Sequence, residues 1–370
     1  EGRERPRHRF IGGLIPDHLR EMGIELKKGF SRLTDLFTRL TEILKDGMDG
    51  EVNIGITSNQ AEEWYPLFGS LLSRAQGNWE LWTAFTTEDP EDNPPMARWL
   101  TLAESGSLFD IEVNASPILA AEMLRRNLWN VAYGALVTSA TLTALGTFDR
   151  FRMRAGLPKK AVTAVVPSPF HHADAGVLRV PDLKADPRDA MAHTAAIIRD
   201  LPGLVEGSKG TLVLFSSRKQ MQDVFDGLER DWRKQVFIQG NLSKQETLNK
   251  HKARVDGGDS SVLFGLASFA EGVDLPGAYC EHVVIAKIPF SVPDDPVEAA
   301  LAEWIEARGG NPFMEISVPD ASLKLVQACG RLLRTEQDRG TITLLDRRLV
   351  TQRYGKAILN ALPPFRREIS

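Results

Sequence analysis

The octapeptide QACGRLLR, Gln327 to Arg334, carries the strongest chemical signal in this sequence. A helix over 320–335 is predicted, on which Gln327, Arg331 and Arg334 fall at i, i+4 and i+7 and share one face, while Gly330 leaves room for another backbone. Two guanidiniums on one face suit a triphosphate. Arginine keeps its charge at any working pH and offers a planar fork of donors to the charge that develops on a transferring phosphoryl group. The same residues taken alone also read as a solvated basic helix end. A second signal is SFAEGVDLPG, 268–277, which follows the strand-like run SVLFGL at the end where an open α/β sheet binds ligands. Gly272 and Gly277 permit a sharp backbone path, and Glu271 and Asp274 add carboxylates able to accept ribose hydroxyls or to orient the arginines. The plain alternative is a Gly/Pro turn with an acidic tip.

Two weaker signals precede these. LVLFSSRKQ, 212–220, puts Ser216, Ser217 and Arg218 where a strand ends and a helix starts, so hydroxyls, an amide row and a cation converge as a backbone phosphate requires. A simple serine cap would look the same. VTSATL, 137–142, places small hydroxyl residues at another strand end and means little by itself. There is no GxxxxGK[ST]; the nearest string, GLVEGSKGT (203–211), runs into a strand instead of opening a helix and is no phosphate loop. No Asp-Glu dipeptide occurs. His171, His172 and His193 lack the clustered partners of a metal site, so no metal ligands are assigned.

The elements that must position these residues follow from hydrophobic periodicity. Residues 14–80 read as helical, with Phe30, Leu33, Phe37, Leu40 and Leu44, then Trp64, Phe68, Leu71 and Ala75, at three- and four-residue steps. TTEDPEDNPP, 86–95, is a surface loop or boundary. Short strands are predicted at 97–102 and 107–113, then a helix over 116–130 with a Ser116 cap and Pro117 at its first position, then a strand at 134–140. From about 176, strands at 177–180, 211–217, 235–239, 261–266, 282–288 and 341–346 alternate with helices at about 187–200, 218–231, 244–255, 296–308, 320–335 and 349–361. Apolar strands with helical crossovers predict an α/β fold, a parallel sheet covered on both faces.

At 370 residues, two or three domains are expected. The 42% hydrophobic and 25% charged composition is that of a globular chain with a large core. Two cysteines, Cys280 and Cys329, exclude a disulfide framework and a four-cysteine site built from this chain alone. No apolar run spans a membrane and no signal peptide is visible, so a cytoplasmic location is expected. A net charge of -4 argues against a uniformly basic coat while leaving room for a local basic groove. The chain starts at Glu1, which points to processing or to a piece of a longer protein.

In order, TSATL, LVLFSSRK, ASFAEGVDLPG and QACGRLLR resemble the third to sixth motifs of superfamily 2 helicases, closest in wording to the DinG branch of the XPD-like family. KIPFSVPDDPVEA (287–299), GGNPF (309–313) and LLDRR (344–348) extend the resemblance, which covers about 116 to the C-terminus. It implies a 5′-to-3′ ATP-dependent DNA helicase of the iron–sulfur class, with ATP and Mg²⁺ between two RecA-like motors and single-stranded DNA across them. The phosphate loop, Mg²⁺ carboxylates and cluster cysteines would then lie upstream of residue 1.

The resemblance divides the chain into a partial, helical arch-like region (1–80), a remnant of the first motor domain (81–160) and a RecA-like second motor domain (161–370). It implies that Arg331 and Arg334, with Gln327 beside them, reach the γ-phosphate, and that Glu271, Gly272 and Asp274 lie on the ribose side. Ser216, Ser217, Arg218, Gln239, Gly240 and Ser268 would line the DNA track. Thr138, Ser139 and Thr141 would couple hydrolysis to domain movement. The competing class is a non-catalytic nucleic-acid- or partner-binding module that keeps the fold without the motor. An unrelated doubly wound enzyme would need a glycine-rich turn after its first strand, and none is evident.

Overall fold

The strand–helix alternation after residue 176 becomes a seven-stranded, wholly parallel sheet in the computed structural model, which describes residues 6–49, 55–90, 93–105, 108–291 and 294–370. Its strands are β4 (Gly176–Val180), β5 (Gly210–Phe215), β6 (Val236–Ile238), β7 (Ser261–Leu266), β8 (His282–Ile285), β9 (Gly340–Leu344) and β10 (Arg366–Ile369). The spatial order is β10-β4-β9-β8-β5-β7-β6. Successive side chains point to opposite faces. Leu212 and Leu214 of β5 therefore enter one core with Leu263, Val283 and Ile285, while Val213 and Phe215 enter the other with Val262, Phe264 and Val284.

Helices cover both faces. Ala190–Leu204 and Arg218–Gly227 bring Ile197, Leu201, Met221 and Val224 to the second core. Val318–Cys329 and Arg353–Ala361 bring Leu325, Cys329 and Ile358 to the first. Each large apolar side chain so buried contributes about 1.5–3 kcal/mol relative to exposure. The chain divides into two compact units, residues 1–120 with 292–311, and residues 121–291 with 312–370. The parallel sheet lies in the second.

The first unit holds β1 (Arg7–Arg9), β2 (Met96–Ser105) and β3 (Leu108–Pro117) as an antiparallel sheet beside two long helices, α1 (Asp17–Met48) and α2 (Ser58–Thr86). Thr57 and Gln60 form a reciprocal capping box that starts α2. At Gly23 a Cβ would meet Thr86 at 2.6 Å, so glycine lets the two helices approach closely. Phe10, Trp82 and Phe85 pack edge to face at their common end. The chain returns to this unit with helix Pro296–Ala307, whose Glu303 accepts from Arg9 Nη1 at 2.7 Å and from the Gly12 amide at 3.0 Å. Among the described residues no helix is long and apolar enough to cross a membrane.

Three local expectations are corrected, and one strand was missed. Ser116 and Pro117 do not start a helix but end β3, where a missing N–H costs one terminal bond at most; helix begins at Ala121. Residues 134–140 are not a strand: they run irregular and exposed, because a strand exists only through a paired neighbour and no described strand pairs with them. The helix expected over 320–335 ends at Cys329. β10, a polar edge strand pairing parallel with β4, was not anticipated because RREI lacks any apolar alternation.

Candidate functional site

Ending that helix at Cys329 changes how the arginines are placed. Gly330 is its C-cap, and beyond it the chain leaves the helix with Leu332 and Leu333 both buried. Arg331 and Arg334 therefore sit on a turn rather than a helix face. They nevertheless converge: Arg331 Nη1 donates to the Val273 carbonyl at 3.2 Å and Arg334 Nη2 to the same oxygen at 2.6 Å. Among the described residues no other backbone approaches Gly330, contrary to expectation; a Cβ there would meet its own preceding turn.

Val273 belongs to the 268–277 loop, so the two strongest sequence signals meet in space. Gly272 and Gly277 both take positive φ, +68° and +62°, which a side chain would resist. Lys244 Nζ donates to the Glu271 carbonyl at 2.5 Å and stacks over Phe269. Asp274 Oδ1 lies 3.4 Å from Arg334 Nε, yet that buried nitrogen has no hydrogen-bond partner. Burial and the adjacent Arg334 charge push the Arg331 guanidinium down from its usual value, with Glu271 and Asp274 opposing. Two crowded cations and an unsatisfied donor are a setting that favours an anion.

The arginines border a cleft of about 1060 Å³ that also takes in Thr141, Phe170, His172, Glu271 and Gln327. Gln327 Nε2 donates to Thr141 Oγ1 at 3.3 Å, joining the TSATL segment to the arginine turn. Ser139 Oγ accepts from the Thr141 amide at 3.2 Å, and Thr138 is exposed with no bond to the cleft among the described residues.

At the other strand ends, Ser217 caps helix Arg218–Gly227 by accepting from the Gln220 amide, while Ser216 and Arg218 are exposed. The Arg218 guanidinium lies beside Gly240, where a Cβ would come within 3.3 Å of Nη1; Gly240 has φ +103°. Gln239 serves the sheet instead: its Oε1 accepts from the Leu266 amide at 2.8 Å. Ser268 lies in the short helix Ala267–Ala270, and its side chain is outside the described residues.

Three groups were missed. Asp338, 5% exposed, accepts from the amides of Gly277, Arg334 and Thr335 and from Thr335 Oγ1, stapling the two loops. Only its position just after the arginines hinted at it. Lys287 and Gln220 line a recess of about 380 Å³ with Thr194, Ser216 and Ser217. Burial first, then Arg348, pushes the Lys287 ammonium down. Gln220 Nε2 donates to His193 Nδ1 and to Thr194 Oγ1, and its buried Oε1 has no partner. A lysine in KIPF and a glutamine inside a helix gave no spacing signal.

The chain is similar to known helicases in sequence and in fold. A family model described as a helicase C-terminal domain matches residues 204–365. The chain is 39% identical to the ATP-dependent DNA helicase DinG of Photobacterium profundum over 371 residues, covering 98% of this chain and 52% of that protein. It is 32% identical to DinG of Escherichia coli K12, covering 97% and 50%. The chain thus spans about half the length of the curated relatives it matches. Among solved structures, apo XPD superposes with a TM-score of 0.54 at 14% identity, covering 89% of this chain and 62% of that one. S. tokodaii Xpd4 gives 0.51 at 14% identity, covering 98% and 72%. At such identity these structures speak to the fold alone. The chain carries a helicase C-terminal domain over residues 204–365 and is similar, over nearly all its length, to about half the length of the DinG helicases.

Proposed function

We propose that this chain is the second-motor half of an ATP-dependent DNA helicase that moves 5′ to 3′ on single-stranded DNA. The observation that carries the reading is the convergence of Arg331 and Arg334 on one carbonyl at the rim of a cleft large enough for a nucleotide. On this reading the two guanidiniums meet the γ-phosphate of ATP bound by another motor domain, where they stabilise charge that appears only in the transition state. Glu271, Gly272 and Asp274 lie on the ribose side. Gln327, bonded to Thr141, would pass a change at the phosphate to the segment holding Thr138 and Ser139.

Single-stranded DNA would run over Ser216, Ser217, Arg218, Gly240 and Ser268, with Lys287 added and Gln239 holding the strand ends in place. Hydroxyls, helix amides and cations position a backbone without reading bases. The three-part division at 1–80, 81–160 and 161–370 belongs to the same reading. Two extended apolar stretches support a missing partner sheet: Tyr133 and Leu136, and then Val162, Val165 and Val166, lie exposed. Apolar segments of this kind are covered in α/β proteins.

ATP fits the residues present, since Arg334 Nε is an orphaned donor beside the cleft. An iron–sulfur cluster does not fit them. Cys280 and Cys329 are fully buried thiols pushed up to about 12, so neither supplies a thiolate. Ligands for a cluster and for Mg²⁺ would belong to the partner motor, and no step here runs through them.

A phosphate-release assay on the chain alone is expected to read background, because nothing in it cradles a β-phosphate. Turnover stimulated by single-stranded DNA would overturn the reading. Joined to a first motor domain, Arg331→Ala and Arg334→Ala should each lower turnover by about 10³–10⁵ with a smaller effect on ATP binding. Wild-type turnover in both variants would overturn the assignment of these arginines to the cleft.

A further inference from the structure

The helical hairpin of the first unit contains a groove of about 460 Å³ that plays no part in the site above. It is lined by Ile24, Lys27, Lys28, Ser31 and Arg32 of α1 and by Trp79 of α2. Positions 27, 28, 31 and 32 recur at helical spacing and so form one wall, with Lys27 and Arg32 about 7.5 Å apart along the axis. Trp79 faces them from the neighbouring helix.

The wall is charged and largely unsatisfied. Lys27 and Arg32 make no salt bridge with a described residue; Lys28 pairs with Glu25 at 2.8 Å on the exposed side. Lys28 first, with Arg32 contributing, holds the Glu25 carboxyl below its usual range, so two of the three cations share one carboxylate. Trp79 is only half-buried, stacks with no described ring or cation, and has no hydrogen-bond partner for its indole N–H among the described residues. The hairpin does not need it as a closing aromatic. Phe37 and Phe68 meet at 6.2 Å further along, and Trp82, Phe85 and Phe10 fill the end against the small sheet.

We infer that this groove is a second nucleic-acid contact, which takes a short segment of single strand with its phosphates on Lys27, Lys28 and Arg32 and a base against the Trp79 indole. Unpaired cations lining a low-dielectric groove concentrate anions. An acidic peptide would satisfy the cations yet leave the indole without a partner, whereas every nucleobase presents a π-face for it. The contact rests on residues of the first unit alone and stands or falls independently of the motor reading.

The test is fluorescence anisotropy of the 370-residue chain with a labelled oligo(dT) across several salt concentrations. Each phosphate neutralised on a single strand contributes about -0.7 to the slope of log K against log salt. The double variant Lys27→Glu/Arg32→Glu should bind at least tenfold more weakly and flatten the slope by about 1.4. Trp79→Ala should lose about tenfold, and Trp79→Phe should recover most of that loss because a smaller ring still stacks. Circular dichroism of each variant checks the fold, and the charge variants, on a solvent-facing wall, decide the matter if Trp79→Ala unfolds. Wild-type affinity and slope in the double variant would overturn the proposal. So would displacement of the oligonucleotide by poly-glutamate as effectively as by unlabelled DNA of equal charge. Arg218→Ala is measured alongside. A loss confined to that variant removes the groove while sparing the motor track, and a loss in the groove variants supports the groove whatever Arg218 does.

Discussion

Asp338 Oδ2 accepts the backbone N–H of Arg334 at 2.6 Å, while its other oxygen accepts the Gly277 amide at 3.0 Å. One carboxylate thereby ties the turn that carries both arginines to the glycine-rich loop they bond. The guanidiniums meet at Val273 because their backbone is held from behind, and each staple bond is charge-assisted, the stronger class of hydrogen bond.

Replacing Asp338 by Ala leaves buried amides without an acceptor, and a loss of about 1–3 kcal/mol is expected in urea unfolding. Burial works to raise the Asp338 carboxyl, but the bonds from Arg334, Thr335 and Gly277 outweigh it and hold it below its ordinary value. A depressed folded pKa stabilises above the unfolded value of about 3.9 and loses that effect as pH falls through the folded value. The wild type should therefore lose stability below about pH 4 more steeply than Asp338→Asn. Equal acid limbs in the two proteins would show that the staple carries no net charge effect.

Three buried histidines predict a second, milder pH dependence. Burial first, then the Arg179 charge, pushes His282 down to about 4, and burial likewise lowers His193 and His251. Burial keeps each neutral, against the carbonyls that His193 and His251 meet, which favour the charged form. His193 Nε2 donates to the Leu345 carbonyl, His251 Nε2 to the Tyr279 carbonyl, and His282 is bonded to Thr343 Oγ1. Because their folded values lie below the unfolded value of about 6.5, protonation favours unfolding, and stability falls as pH drops from about 6.5 toward 4. From His282 alone the loss between pH 6.5 and 5 should be about 2 kcal/mol. Urea titrations at pH 7 and pH 5 measure it, and identical midpoints would contradict the burial assignment.

In the first unit, Arg98 is 2% exposed. It bonds Asp89 at 2.6 Å and the carbonyls of Gly13, Ala84 and Thr87, so each donor nitrogen is used. Asp89→Ala should destabilise this unit by about 3–5 kcal/mol, because it strands a buried guanidinium. Arg98→Lys should also be costly, since an ammonium cannot reproduce the planar fork. Thermal unfolding followed by tryptophan fluorescence would register both. A shift within error for Asp89→Ala would mean the backbone carbonyls alone satisfy the charge.

Gly340 opens β9 opposite Gly176 of β4, and a Cβ there would run into the Glu281 carbonyl and come within 2.8 Å of Leu332 Cδ1. Gly340→Ala should cost about 1–3 kcal/mol by overpacking. Leu332 lies next to Arg331, so the same variant should displace the arginine turn. A chemical-shift change at Arg331 and Arg334 would detect that displacement, and an unchanged spectrum would deny it.

The α/β class, six of the seven parallel strands and the helices between them were legible in the residues, because hydrophobic periodicity is a local property that burial on two faces imposes. LVLF and SVLF at successive crossovers can satisfy both cores only as central strands. The helical hairpin was legible for the same reason. Several local features were not. Residues 134–140 have a strand's composition but no neighbour to pair with, and RREI pairs at the sheet edge without any apolar pattern. Spacing placed Arg331 and Arg334 on one helix face. Tertiary structure brought them together by another route: Leu332 and Leu333 draw the chain into the core, and Asp338 claims amides that a helix would have used. The sequence by itself determined which residues offer charge and hydroxyls at strand ends. Only the fold decided which of them share a carbonyl or a cleft, because hydrogen bonds between residues 58 or more positions apart leave no trace in local periodicity.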